Sequence, residues 1–254
     1  MILGVLQART SSSRLPGKVL LPMAGAPMLE RQIERLLRAR RIDGLVLATS
    51  DRPEDAAVAE LADKLGIGSY RGSLDDVLDR YYQAAAPHAP SHVVRVTGDC
   101  PLADWDVIDQ VIEFAVEGGY DYASNTINPT WPDGLDVEVA TFAAIETAWR
   151  EAARPLEREH VMPFITTRPD RFRLGSYEND RDLSALRWTV DEPGDYAFAC
   201  AIYDALHAAN PAFTTADILA LLEARPELAD LNTGFARNEG LLKSERAETE
   251  SQSK

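Results

Sequence analysis

Cysteine is almost missing from this 254-residue chain: Cys100 and Cys200 stand far apart and without metal-ligand spacing. That excludes a disulfide framework and a thiolate zinc site, and two reduced thiols suit a cytoplasmic setting. Basic charge is also scarce, with 26 Lys and Arg against 41 Asp and Glu and a net charge of -15. Such a surface repels polyanions, so general nucleic-acid binding is not expected. Long apolar runs are missing too. Residues 1–6 are too short for the core of a secretory signal, and no later stretch reaches the roughly 18 apolar residues that span a bilayer. Solenoid repeats and Pro/Gly/Ser-rich linkers do not occur, which points to one domain over residues 1–240. The polar run 241–254 holds nothing apolar enough to pack and reads as a frayed tail.

What is present is a rhythm. Apolar runs at 2–6, 45–49 and 93–96 read as strands buried on both faces. Between them, Leu29, Ile33, Leu36 and Leu37 share one helix face, and Val107, Ile108, Val111, Ile112 and Ala115 share another. A further helix is expected to start with Ser50 or Asp51 as cap and Pro53 at its first turn, followed by Val58, Leu61 and Leu65. This alternation is that of an α/β, doubly wound, mostly parallel sheet flanked by helices, whose ligands gather at the strands' carboxyl ends. After Tyr120 the rhythm loosens. Strands are expected over 136–139, 172–177 and 186–190, and helices over 141–153 and 195–208. Trp149, Tyr81, Tyr82 and Phe198 fall among apolar residues at helical spacing and read as core.

The first strand runs into Gln7, Ala8, Arg9, Thr10, Ser11, Ser12, Ser13, Arg14, Leu15, Pro16, Gly17 and Lys18, and no Asp or Glu occurs before Glu30. Small residues let backbone N–H groups approach an anion, while Arg9, Arg14 and Lys18 add fixed positive charge, as a polyphosphate requires. The glycine spacing is neither that of a P-loop nor that of the dinucleotide fingerprint, which disfavours a kinase or dehydrogenase. A solvated basic loop is the plainer alternative.

The run from Leu6 to Leu20 resembles the amino-terminal signature of the cytidylyltransferases that activate acidic sugars, which include CMP-Kdo and acylneuraminate synthetases. The likeness is to their spore-coat polysaccharide F-type branch. It extends through Gly98-Asp99-Cys100-Pro101-Leu102, Asp133-Gly134-Leu135-Asp136-Val137-Glu138, Trp188-Thr189-Val190-Asp191 and Arg237-Asn238-Glu239-Gly240. The resemblance implies a Rossmann-like nucleotide-diphosphosugar transferase fold with a smaller mixed sugar-binding portion. It also implies CTP as donor, Mg2+ as cofactor and a homodimer. On this reading Gln7, Ala8, Arg9, Ser12, Ser13 and Lys18 hold the nucleotide, and Arg9, Arg14, Lys18 and Asp99 are catalytic.

Asp99 follows a strand end, where Gly98 leaves room for a ligand, and Asp191 is its expected partner at the metal, since Mg2+ needs few carboxylates beside water and phosphate oxygens. A turn residue at Asp99 and a helix cap at Asp191 are the alternatives. Arg71 and Ser73 are candidates for the cytosine edge, though the sequence does not separate cytosine from another pyrimidine, and Asp75 and Asp76 also suit helix caps. Asn125, Asp133, Asp136 and Glu138, with Trp131 as an apolar wall, suit a hydroxyl-rich acceptor; an exposed hairpin would use similar residues. Arg158 and His160 could meet an acidic acceptor's carboxylate, or form surface ion pairs at helical spacing. Residues 1–119 are thus expected to serve mainly the nucleotide and 120–240 mainly the acceptor and metal. The expected reaction is in-line attack of a sugar hydroxyl on the α-phosphate of CTP. A glycosyltransferase using a nucleotide sugar and a non-catalytic nucleotide binder are the rivals.

Overall fold

The computed structural model describes residues 1–233 and residue 237. The expected tail, and Asn238, Glu239 and Gly240, lie outside the described residues. In chain order the strands are β1 (Ile2–Gln7), β2 (Pro22–Met23), β3 (Ala26–Pro27), β4 (Gly44–Ser50), β5 (Gly68–Gly72), β6 (His92–Thr97), β7 (Tyr122–Ser124), β8 (Glu138–Thr141) and β9 (Leu174–Ser176). The helices are α1 (Met28–Leu36), α2 (Ala56–Lys64), α3 (Val77–Ala85), α4 (Trp105–Gly118), α5 (Phe142–Glu151), α6 (Pro155–His160), α7 (Pro163–Thr166), α8 (Pro193–Leu206) and α9 (Thr215–Ala224).

Seven strands form one sheet in the order β5-β4-β1-β6-β8-β7-β9. All neighbours pair in parallel except β8, which runs against both β6 and β7. The core lies on both faces, as the unbroken apolar runs require. Leu6, Leu47, Val94 and Val96 pack under α1, α2, α4 and α8. Leu3, Val5, Val46 and Val93 pack under α3, α5 and α7. Tyr81 and Phe198 are buried in this core, and Tyr82 stacks on Trp149 with ring centres 4.0 Å apart.

Two expectations are corrected. Neither Ser50 nor Asp51 caps the helix after β4: Arg52 occupies the cap position of a short 3-10 turn beginning at Pro53, with no side-chain cap bond. The Ser50 hydroxyl instead goes to the Asp55 carboxylate. Residues 186–190 form no strand, only an isolated bridge between Asp133 and Arg187. Their amides are spent on loops rather than on a ladder: Thr189 N donates to Asp133 O at 2.9 Å and Val190 N to Asp99 O at 2.7 Å.

Candidate functional site

Gln7 ends β1 opposite Ala48 of β4 and Thr97 of β6, so the basic loop leaves the carboxyl edge at the centre of the sheet. Gly98 N donates to Gln7 O at 2.7 Å. A Cβ at Gly98 would lie 2.8 Å from the Ala8 Cβ and 3.0 Å from Gln7 O, so only glycine lets the β6 turn pass this close to the loop. The loop then folds on itself. Gly17 adopts φ +69 and donates from N to Thr10 O at 2.9 Å, while Thr10 N and its hydroxyl both reach Asp55 Oδ1 at 2.7 Å. Burial opposes the charge of Asp55, but the Ser50 and Thr10 hydrogen bonds prevail and hold its carboxyl below the ordinary range.

Around this loop opens a recess of about 470 Å³, lined by Gln7, Ala8, Arg9, Ser11 to Arg14, Lys18, Gly98, Asp99 and Asp191. The residues expected to grip a triphosphate and those expected to hold a metal therefore meet. Gln7 Oε1 is buried there without a hydrogen-bond partner. Lys18 sits between the two aspartates: Nζ donates to Asp191 Oδ1 at 2.8 Å, to Val190 O at 2.7 Å and to Asp99 Oδ2 at 3.4 Å. Burial works against the ammonium, yet the two carboxylates outweigh it and raise its pKa. Burial likewise works against the Asp99 charge, and Lys18 together with the Thr97 hydroxyl holds that carboxyl below its usual range. Arg14 reaches Asp191 at 2.9 Å and Glu192 at 3.5 Å. Asp191 does not cap α8: that end is closed by a box of Glu192 and Asp195.

The carbonyl and carboxylate oxygens around the Lys18 ammonium are the hard donors that Mg2+ takes, and they already coordinate a cation. Among the described residues no group of three or more His, Cys, Asp or Glu side chains could hold a metal. Two carboxylates completed by phosphate and water therefore fit the ion better than an all-protein cage.

A second cleft of about 500 Å³ shares Arg14, Thr97, Asp99 and Asp191 with the recess and continues past Asp133, Asp136, Glu138 and His160. Gly134, at φ +107, lets two motifs lock: its Cβ would lie 2.4 Å from Thr189 N. Arg187 pairs with Asp133 at 3.1 Å and Asp195 at 2.9 Å, and Arg237 holds Asp136. Burial, with the Asp133 and Glu138 charges adding to it against Arg237, pushes the Asp136 carboxyl up to about 7.

Four candidates, Asn125, Arg158, Ser73 and Arg71, lie elsewhere. Asn125 is buried and spends its amide on the backbone, donating to Leu135 O at 2.7 Å and accepting from Val137 N at 2.9 Å. Arg158 leaves the cleft to pair with Asp76, the cap of α3, and lines a smaller recess with Arg9 and Ser73. Arg71 is exposed and holds the carbonyls of Ser50 and Arg52 at 3.2 and 2.7 Å. Conversely, Arg95, Tyr122 and Arg187 line the cleft without having been singled out from the sequence. Arg187 adjoins a quoted motif and Arg95 interrupts an apolar strand, which were the available signals.

Comparison with known proteins identifies the family. A family model described as cytidylyltransferase matches residues 3–209. The spore coat polysaccharide biosynthesis protein SpsF of Bacillus subtilis is 31% identical over 235 residues, 90% of this chain and 96% of that protein. A 3-deoxy-manno-octulosonate cytidylyltransferase of Anaeromyxobacter sp. is 33% identical over 135 residues, 52% of this chain and 53% of that enzyme. A solved cytidylyltransferase structure from Leptospira borgpetersenii superposes with a TM-score of 0.86 at 29% identity, covering 92% of this chain and 99% of that one. With a family model over residues 3–209 and these relatives, the chain belongs to the cytidylyltransferase family of nucleotidyltransferases.

Proposed function

We propose that the protein transfers CMP from CTP to a hydroxyl of an acidic sugar, of the 2-keto-3-deoxy sugar acid class, releasing pyrophosphate. The observation that carries this reading is the continuity of two cavities. The recess of the basic loop and the polar cleft share Arg14, Thr97, Asp99 and Asp191, so a donor phosphate and an acceptor hydroxyl can meet over the aspartates. The name of the Anaeromyxobacter relative supports the acceptor class, and that of SpsF supports a role in surface polysaccharide synthesis.

In this reading the Ser12 and Ser13 region, Arg9 and Arg14 receive the β- and γ-phosphates, and the unpartnered Gln7 Oε1 accepts a hydrogen bond from the nucleoside beside Ala8. Ser73, in the recess next to Arg9, is placed for the base side, and Asp133, Asp136, Glu138 and His160 contact the acceptor. Asp99 and Asp191 would hold Mg2+, which would offset phosphate charge and make the attacking hydroxyl more acidic. Lys18 keeps the two carboxylates together and supplies positive charge beside the departing pyrophosphate. No covalent enzyme intermediate is needed. The residues before Tyr120 serve mainly the donor and those after it mainly the acceptor.

Incubation with each of the four nucleoside triphosphates, Mg2+ and a panel of sugar acids, with pyrophosphate as the readout, tests the proposal. Release with CTP and a sugar acid is expected. CTP binding without release under any acceptor would make the protein a non-catalytic binder, and release of a nucleoside diphosphate from a nucleotide sugar would make it a glycosyltransferase.

A further inference from the structure

Helix α1 buries Met28, Leu29, Ile33 and Leu36 against the sheet, yet two polar side chains are buried beside them. Gln32 has no exposed surface and Arg35 is 2% exposed. Both reach the turn that follows β6. Gln32 Nε2 donates to Thr97 O at 2.7 Å, and Arg35 Nε donates to Ala103 O at 2.7 Å. From α8, the hydroxyl of the buried Tyr203 donates to Pro101 O at 2.8 Å. Since Val190 N donates to Asp99 O, the carbonyls of residues 97, 99, 101 and 103 are all fastened from outside the turn.

These bonds are kept at a cost to stability. Gln32 Oε1 and Arg35 Nη1 are buried without a hydrogen-bond partner. A buried polar atom left unpaired destabilises the fold, and a methionine of similar volume at position 32 would carry no such atom. What the polar side chains supply instead is direction. Gln32 grips the carbonyl two residues before Asp99, and Tyr203 grips the one two residues after it. Neither side chain lines the recess or the cleft, so neither meets a ligand there. The support behind them is rigid: the Arg35 guanidinium lies 4.2 Å from the ring centre of Phe213 and 5.0 Å from that of Trp105, and Tyr203 meets Phe213 edge-on at 5.2 Å. Asp99 lies at the free side of this braced turn, and its carboxylate lines both cavities.

We infer that Gln32 and Tyr203 are positioning residues for Asp99, holding the 97–103 turn so that its carboxylate stands where the recess and the cleft meet. They act on the rate through the placement of one group, since a displacement of about 1 Å at a reacting centre can cost on the order of 100-fold in turnover. The effect on turnover rests on the sugar-acid reading above, whereas the hold on the turn does not.

Gln32→Met and Tyr203→Phe each delete one of these bonds with little change in volume. Both full-length variants are compared with wild type by melting temperature, by residue-resolved amide hydrogen exchange, and by pyrophosphate release from CTP with the panel of sugar acids. The amides of Gly98, which donates to Gln7 O, and of Val190, which donates to Asp99 O, report on the turn directly. Each variant should melt within about 4 °C of wild type. Exchange at Gly98 and Val190 should quicken roughly tenfold, while that of Val46 and Leu47 in β4 stays as it was. The kcat should fall roughly 10- to 100-fold with KM for CTP within about twofold, because the loop from Gln7 to Lys18 is untouched. Where wild type is active, unchanged exchange or unchanged turnover in a variant overturns that residue's role and leaves the sugar-acid reading standing. So does a loss of turnover that only tracks a falling melting temperature, with exchange quickened across the whole sheet. If wild type releases no pyrophosphate with any acid, yet Gly98 and Val190 alone exchange faster in the variants, the reaction assignment fails and the hold on the turn stands.

Discussion

The main-chain oxygen of Asp99 accepts the amide hydrogen of Val190 at 2.7 Å, and the Thr189 hydroxyl reaches the same oxygen at 3.3 Å. Asp99 leaves the end of β6 and Asp191 follows an irregular segment far along the chain, yet these bonds tie the two segments together at Asp99 O. Only the side chains remain to be steered: Lys18 bridges both, and Arg14 and Arg187 add contacts to Asp191.

Asp99→Asn and Asp191→Asn should therefore each lower pyrophosphate release by at least about 100-fold, since each removes a charge and not a strut. The melting temperature should stay within a few degrees of wild type. Near-normal turnover in either variant would remove that aspartate from the proposed metal site.

Lys18→Met separates two roles of the ammonium. Turnover should drop by on the order of 100-fold through loss of charge beside the pyrophosphate. Affinity for Mn2+ without nucleotide should instead rise, because a competing cation has left Asp99 and Asp191. Titration followed by electron paramagnetic resonance reads this directly, and weaker Mn2+ binding in the variant would show that the ion sits elsewhere.

Gly98→Ala and Gly134→Ala probe the two close approaches. At Gly98 the new methyl meets Ala8 Cβ and Gln7 O, and an overpacking cost of about 1–3 kcal/mol is expected, with CTP affinity falling as the loop is displaced. At Gly134 the methyl would lie 2.4 Å from a backbone nitrogen at positive φ, so chemical denaturation should show the larger loss. Equal stability of the two variants would contradict this ranking.

Asp136 carries a pH signature. Its native pKa near 7 exceeds the unfolded value near 4, so the folded protein retains a proton that the unfolded chain has released. The stability this contributes is complete below about pH 4 and is lost as pH rises through 7. Asp136→Asn should delete that slope, gaining on wild type by on the order of 5 °C in melting temperature between pH 4 and pH 7.5. Its Arg237 partner stays charged throughout, so any cost of leaving it unpaired offsets the curve without tilting it. Parallel wild-type and variant curves would refute the shifted carboxyl.

Much of this was legible in the chain. Apolar runs located β1, β4 and β6, and the lack of acids between Gln7 and Lys18 marked the recess, because both signals are local. The segment 186–190 misled for a physical reason: its Trp-Thr-Val run has the composition of a strand, but Asp133 and Asp99, far off in sequence, claimed its amides. Arg158 was placed with the acceptor because helical spacing cannot reveal a partner as distant as Asp76. The Arg95, Glu138 and Tyr122 cluster depends on strand pairing across β6, β8 and β7, which no periodicity announces.

The reversed strand β8 brings a further consequence. Parallel strands deliver only their exits to one rim of a sheet, whereas a strand running the other way delivers its entrance there. The segment 125–137 thus arrives at the rim from which the loop after Gln7 and the turn after Thr97 depart. Insertions or deletions in that entrance loop can reshape the proposed acceptor side while the register of β1 with β4 and β6 keeps the proposed donor side as it is. On the proposed reading, two halves of a reaction are built on one frame, and only one of them must be rewritten to change partner.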